Sequence, residues 1–171
     1  MVLTKSELLA SLQNEVRVLL HLANKIDRST LDYRPTPKQR STFELLKYLS
    51  MMGPMMIRYG LAKEGEFDRD AWMAASQEAD QRDFDQTLAA IAAHGGQYAA
   101  LLADVTDDDF RSELTGFDGT KMTRGSYLVN SVLGGCAAYR TQLFLYLKAC
   151  GQEDLGTSNL WMGVDATPAA V

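Results

Sequence analysis

The side chains in this sequence that could do chemistry are few and far apart. Among 171 residues there are only two histidines, His21 and His94, and two cysteines, Cys136 and Cys150. Neither cysteine has the close cysteine or histidine neighbours of a zinc or redox motif. On one helix the two thiols would lie about 21 Å apart, beyond the reach of a disulfide. We therefore expect buried free thiols and little material for a zinc or iron site.

The sequence carries no other motif of a common catalytic site. Its paired glycines, Gly95-Gly96 and Gly134-Gly135, lie in helical patterns and lack the spacing of a phosphate-binding loop. A GxSxG motif is absent, and a Ser-His-Asp triad would need one of the two isolated histidines. Net charge of −5 and a pI of about 5.0 argue against a nucleic-acid surface, which needs a basic stripe. With no stretch of ~20 apolar residues and no secretory pattern, we predict a cytoplasmic protein without a membrane or nucleic-acid partner.

Two polar residues, Arg140 and Gln142, lie beside the apolar stripe of the last predicted helix. A buried polar group needs hydrogen-bond partners, so these two either bond to a connecting loop or contact a ligand. Met52 and the methionines near it belong to the second predicted helix. Flexible thioethers either fill a core or wall an apolar pocket, and both alternatives stay open.

Four segments with apolar residues at steps of three and four predict long amphipathic helices. They cover residues 4–27, Ser41 to about Tyr59, about 80–103 and about 124–149. Ser41 and Glu44 have the spacing of a capping box at the start of the second helix. Helices of this length around one core predict an all-α, antiparallel four-helix bundle with a long crossover.

The segments between the helices give weaker predictions. Residues 63–79 are expected to form the long connection, with a short helix around Trp72. Asp118-Gly119 predicts a turn between two very short strands before the last helix. We expect one domain, residues 1–171, whose tail from about residue 152 docks on the bundle through Trp161.

The glycines of the last helix suggest close packing. Two interior glycines cost about 2 kcal/mol of helix propensity relative to alanine. We predict that a tyrosine ring packs over Gly135 and offsets this cost.

Two segments of the sequence resemble the DinB-like (damage-inducible) bundle proteins. The first is LDYRP at 31–35 followed by RSTFELLKYL at 40–49, similar to a tyrosine, arginine and proline loop that leads into S-x-x-E-L-L-x-H-L. The second is GCAAYRTQL at 135–143, then YL at 146–147 and Gly151, similar to H-x-x-x-H-R-x-Q-L…Y-L…G. The two segments have the order and separation found in the family.

The resemblance implies a four-helix bundle that holds a divalent metal, often nickel or zinc, with three histidines in an open pocket. It also implies homodimers and, in some similar proteins, thiol-dependent transferase or isomerase activity. In this sequence the three histidine positions are Tyr48, Gly135 and Tyr139. Glycine offers no side-chain ligand, and a neutral phenol replaces imidazole poorly. We therefore predict no metal and no cofactor.

The predicted site is a pocket with polar tips at the former metal positions. It is lined by Tyr48, Gly135 and Tyr139, with Met52, Arg140 and Gln142 in support. The first interpretation is a metal-free small-molecule-binding or interaction module that forms a homodimer.

Two alternatives remain. The first is a transferase-like enzyme for a small substrate, with or without a thiol, in which Tyr48 or Tyr139 donates a proton or hydrogen bond and Arg140 lies nearby. The second is a divalent-metal site rebuilt from His21, His94 or the acidic segment. That segment has eight acidic residues and two arginines between Glu64 and Asp85.

Overall fold

Four long helices pack around one core, which confirms the predicted all-α bundle. The computed structural model describes residues 3–62 and 66–166. Glu64 of the acidic segment and the end of the tail therefore lie outside the described residues. The elements in chain order are α1 (Lys5–Ala23), a 3₁₀ turn (Arg28–Thr30), α2 (Thr42–Leu61), α3 (Arg69–Gln81), α4 (Phe84–Leu102), α5 (Asp107–Arg111), β1 (Glu113–Thr115), β2 (Lys121–Thr123), α6 (Arg124–Tyr127), a π-helical segment (Leu128–Leu133), α7 (Gly134–Ala149) and a π-helical turn (Ser158–Met162).

The helix starts are set by capping boxes written in the local sequence. Thr4 caps α1 and exchanges hydrogen bonds with Glu7, while Ser41 does the same with Glu44 at α2. The side chain of Asp83 accepts from the Gln86 amide at the start of α4. Each box satisfies two amides that the helix itself leaves without partners, which fixes the position where each helix begins.

The long connection between α2 and α4 makes these two helices run in the same direction. Phe43 at the start of α2 lies against Phe84 at the start of α4, with ring centroids 6.4 Å apart. By contrast, Lys5 at the start of α1 donates to the carbonyl of Ala103 at the end of α4. Helices α1 and α2 each pack against both α4 and α7. Two parallel helices that follow one another in the chain need a long connection from the end of one to the start of the next, which is the predicted crossover.

The core is a layer of leucines with a few larger side chains between the helices. Among the described residues, no helix combines the length and the apolar character needed to cross a bilayer. The largest fully buried side chains include Leu12, Leu22, Leu45, Leu46, Ile57, Ile91, Tyr98, Leu102, Leu128, Leu143 and Leu147.

The predicted hairpin and the end of the last helix are both present. Strands β1 and β2 pair antiparallel, with Leu114 opposite Met122, and Gly119 in the turn has φ of 79°. After α7, Gly151 has φ of 95°, and the amide of Gln152 donates to the Leu147 carbonyl at 3.0 Å. This is a Schellman ending, which favours glycine because its backbone reaches positive φ without strain.

The last helix is helical over its whole predicted range but is not uniform. The amide of Gly134 donates to the carbonyl of Val129, five residues back, and closes the π-helical segment. The π-helical segment is followed directly by Gly134 and Gly135, and glycine has a low α-helix propensity. After this segment, Arg140 and Leu147 lie on the buried face of α7, beside the stripe of residues that the sequence predicted to be buried.

The C-terminal segment from Leu155 to Asp165 lies against α1 and α7. Asn159 is buried and hydrogen-bonds to His21 at 3.1 Å. Trp161, which we expected to anchor the tail, is 61% exposed. The segment is instead anchored by the polar contacts of Asn159 and by the buried side chain of Leu155.

Candidate functional site

The two tyrosines that the resemblance aligns with metal-binding histidines lie against each other between α2 and α7. The rings of Tyr48 and Tyr139 meet edge to face, with centroids 5.2 Å apart. Burial and the neighbouring Tyr139 hydroxyl raise the pKa of Tyr48 well above its usual value. The phenol of Tyr48 therefore stays protonated at neutral pH, where it can donate a hydrogen bond but not act as an anion.

The third position, Gly135, is not covered by a tyrosine ring, so that packing prediction is wrong. A methyl group at Gly135 would meet only the Met52 Cε atom, at 3.9 Å. Met52 is itself buried and occupies the space beside the glycine. Together with the contacting rings, it leaves little room between Tyr48 and Tyr139.

Tyrosines do pack over glycines in this fold, but on α2. A Cβ atom at Gly53 would lie 2.1 Å from the Tyr98 hydroxyl oxygen, and one at Gly60 would lie 2.7 Å from Tyr127. The sequence pattern indicated close packing, and the structure places it at different glycines.

Arg140 makes its contacts away from the tyrosine pair. Its Nε lies 2.7 Å from Glu15 Oε2 on α1, and the Arg140 side chain is only 3% exposed. The guanidinium also donates to the Leu160 carbonyl and lies under the Trp161 ring. Burial raises the pKa of Glu15, and the positive charge of Arg140 offsets part of this increase. The arginine thus links α7 to α1 and to the C-terminal segment.

Gln142 also lies apart from the tyrosine pair and serves a loop. Its Nε2 donates to the Tyr146 hydroxyl at 2.5 Å, and that hydroxyl donates to the Arg40 carbonyl at 3.1 Å. The Tyr146 ring meets Tyr33 edge to face. Gln142 thus reaches the connecting loop only through the Tyr146 hydroxyl.

His94 is buried and both ring nitrogens are used. Pro54 has no amide hydrogen, so the Ser50 carbonyl one turn earlier lacks its helical donor. The Nε2 atom of His94 lies 3.0 Å from that carbonyl, and the Tyr98 hydroxyl lies 3.3 Å from Nδ1. Burial lowers the pKa of His94 to about 4, so the ring is neutral and donates to Ser50.

His21 also has a partner, and the two free cysteines, which we expected to be buried, are each half-buried. The Asn159 amide accepts from the Gly156 amide through Oδ1, which directs its Nδ2 toward His21 Nε2. Burial raises the pKa of the Cys136 thiol to about 12, which makes it a poor nucleophile. Within residues 3–62 and 66–166, no three His, Cys, Asp or Glu side chains cluster as metal ligands would.

The donors at Tyr48, Gly135 and Tyr139, the positions that the resemblance assigns to histidines, do not fit a divalent metal ion. Gly135 supplies no ligand, and the raised pKa of Tyr48 opposes formation of the phenolate that a metal would need. The methyl end of Met52 lies beside Gly135, where an imidazole would have to fit.

Open space lies on the other side of Tyr48, in a groove between α2 and α3. Its volume is about 270 Å³. Lining residues recur at helical spacing on α3, so one face of that helix forms a wall. We call this the α2–α3 groove; it is lined by Arg40, Glu44, Lys47, Tyr48, Met51, Trp72, Ser76, Ala79 and Asp80.

The floor of the groove is aromatic and its rim is charged. Tyr48 meets Trp72 edge to face, with centroids 6.3 Å apart. The guanidinium carbon of Arg40 lies 4.0 Å from the centre of the Tyr48 ring. Lys47 donates from Nζ to the Asp80 carbonyl at 2.5 Å and so ties α2 to α3.

Sequence analysis missed the groove residues Arg40, Lys47 and Trp72. A usable signal was present, because Trp72, Ser76, Ala79 and Asp80 follow helical spacing in the supposed connection. The helix is 13 residues long. The short helix predicted around Trp72 is thus present as α3, but its polar and acidic composition gave no sign that it forms a wall of the groove.

The fold and the site define a four-helix bundle with a long crossover and a groove between α2 and α3. The chain is similar in structure to a DinB-like protein, YjoA, from Bacillus subtilis, with a TM-score of 0.65. The two are 17% identical, and the match covers 87% of this chain and 94% of the other. The chain therefore has the DinB-like fold. The sequence matches no protein-family profile and no curated protein.

Proposed function

We propose that this protein is a metal-free module that binds a small molecule in the α2–α3 groove against Tyr48. The observation that carries the proposal is the groove itself, about 270 Å³ in volume with Tyr48 and Trp72 as its floor. Ligand sites of this kind combine apolar and aromatic walls with a few polar groups that orient the ligand. The groove supplies such groups in Arg40, Lys47 and Ser76.

The metal-free part of the proposal is supported by the donor set. Tyr48, Gly135 and Tyr139 offer two phenols and no imidazole. Elemental analysis of protein purified without a metal-affinity tag tests this directly. We expect far less than one divalent ion per chain, and a stoichiometric ion would refute the metal-free proposal.

Binding in the groove can be tested with a groove-filling variant and a matched control. Ser76→Trp places a ring in the groove, whereas Ala74→Trp places it on the exposed face of α3. We expect neutral planar probes, benzamide and indole, to give saturable NMR signals with the wild type and with Ala74→Trp. The signals should disappear with Ser76→Trp. Equal binding to both variants would show that the groove is not the site.

The transferase-like alternative has less support. It places Arg140 near the phenols, but Arg140 contacts Glu15, Leu160 and Trp161. An activity lost in the double variant Tyr48→Phe, Tyr139→Phe, with folding unchanged, would restore this alternative.

We also propose that the protein forms a homodimer. Its support is the resemblance, together with exposed apolar side chains on the C-terminal segment, Trp161, Met162 and Val164. Sedimentation at micromolar concentration should give twice the mass of the chain, and a monomer would refute it.

A further inference from the structure

We propose that the ligand of the α2–α3 groove is an anion with a planar body, whose carboxylate or phosphate group is bound by Arg40. This inference rests on the proposed function of the groove. The guanidinium of Arg40 packs on the Tyr48 ring, 4.0 Å from its centre. In residues 3–62 and 66–166, this guanidinium makes no hydrogen bond or ion pair.

The position of Arg40 is fixed by its main chain and by the ring beneath it. Its carbonyl accepts from the Tyr146 hydroxyl, which is bound in turn by Gln142. A guanidinium stacked on an aromatic face keeps its N–H groups in the plane of the fork, where they can donate to two oxygens of an anion. Arg40 is thus preorganised without using its own donors.

One of the two acidic residues that line the groove, Glu44, is engaged elsewhere. Glu44 accepts from the Ser41 amide at 2.7 Å and pairs with Arg34 at 3.3 Å. The amide bond, followed by the charge of Arg34, lowers the pKa of Glu44, so its negative charge is held by the helix start and by a different arginine.

The second cation of the groove adds to the same preference. Lys47 uses one donor on the Asp80 carbonyl and packs over the Phe43 ring. An ammonium has three donors, so it retains hydrogen-bonding capacity. Asp80, the other acidic residue of the groove, accepts from Lys47 through its main-chain carbonyl. A ligand whose anionic group lies at Arg40 and whose ring lies on Tyr48 and Trp72 matches this arrangement.

The test compares probes that share a ring and differ in charge. Benzoate and phenyl phosphate are the anions, and benzamide is the neutral counterpart of benzoate. Binding is followed by NMR through the indole N–H of Trp72, which is distinguished from that of Trp161 with the variant Trp161→Phe. We expect benzoate to bind about fivefold more tightly than benzamide, a difference that weakens with added salt.

The variant Arg40→Gln should reduce the affinity for benzoate to that for benzamide. Arg58→Gln removes a charge from an exposed position of α2 that does not line the groove, and it is the control that should change nothing. If benzoate and benzamide bind equally, the anion inference is wrong while small-molecule binding in the groove stands. If neither changes the Trp72 signal, both proposals fail. The ratio of benzoate to phenyl phosphate affinity tells which anionic group the site prefers.

Discussion

His94 on α4 donates a hydrogen bond to the main-chain carbonyl of Ser50 on α2, at 3.0 Å. This carbonyl lacks its helical donor because Pro54 follows four residues later. Arg82 adds a longer contact to the same carbonyl, at 3.4 Å. A proline that would leave an orphan acceptor inside the bundle is thus matched by a histidine from another helix. The bond explains why one of only two histidines in the chain is buried.

The pairing of Pro54 with His94 can be measured in a double-mutant cycle. His94→Leu should lower the free energy of unfolding by about 1–3 kcal/mol, since a buried carbonyl loses its main donor. In a Pro54→Ala background the helix supplies its own amide, so the same change should cost clearly less. Urea unfolding gives both values. Equal losses in the two backgrounds would show that His94 does not compensate for the proline.

The pH dependence of stability should carry a signature of His94. Its pKa in the folded protein is lowered by burial to about 4, below its usual 6.5. The unfolded chain therefore binds a proton first as the pH falls. The stabilisation from the neutral ring is complete above about pH 6.5 and is lost as the pH falls to about 4, with a total of about 3 kcal/mol.

The measurement is the free energy of unfolding in urea across that pH range, for the wild type and for His94→Gln. The variant should give a flatter profile of unfolding free energy against pH, because it lacks the histidine. The carboxylates that also titrate are the same in both proteins and therefore do not account for a difference. Parallel profiles would argue that His94 is not responsible.

Two glycine-to-alanine substitutions should have opposite effects. Gly135→Ala adds a methyl group with 3.9 Å of clearance, so better helix propensity should stabilise by about 0.5–1 kcal/mol. Gly53→Ala would place Cβ 2.1 Å from the Tyr98 hydroxyl and should destabilise by about 1–3 kcal/mol. Thermal melting measures both. Adding Tyr98→Phe should recover part of the loss at Gly53, and no recovery would mean that the hydroxyl is not the obstacle.

Removing one partner of the buried ion pair should be costly. Arg140→Met leaves the carboxylate of Glu15 buried without its cation and should destabilise by about 3–5 kcal/mol. The double variant with Glu15→Leu should cost less than the single one, because no charge stays unpaired. Chemical denaturation measures both losses. Benzoate binding by the folded single variant should match the wild type, which separates Arg140 from the groove; a lost Trp72 signal would contradict that separation.

Features determined by neighbouring residues were predictable from sequence, and features determined by distant ones were not. The capping box of Ser41 and Glu44 and the turn at Gly119 depend on a few consecutive residues. The partner of Arg140 is Glu15, which lies 125 residues earlier. Sequence patterns showed that Arg140 would need partners but could not say which helix would provide them.

The candidate site shows the same limit. The resemblance identified Tyr48 and Tyr139 as positions on facing helices, and the structure places their rings in contact. It could not show that Met52 would fill the space beside Gly135 or that the open groove would lie toward α3. Those outcomes depend on how much volume each side chain occupies after packing, which no single segment specifies.

The C-terminal segment has a consequence for the order in which the chain can fold. Val18 of α1 is fully buried, and its covering includes Gly163, whose carbonyl also accepts from Arg17. The bond from Arg17 to the Met162 carbonyl spans 145 positions of sequence. Contacts of such separation form late and slow folding. On the ribosome, α1 would therefore be made early but keep one apolar face uncovered until the segment after α7 has emerged.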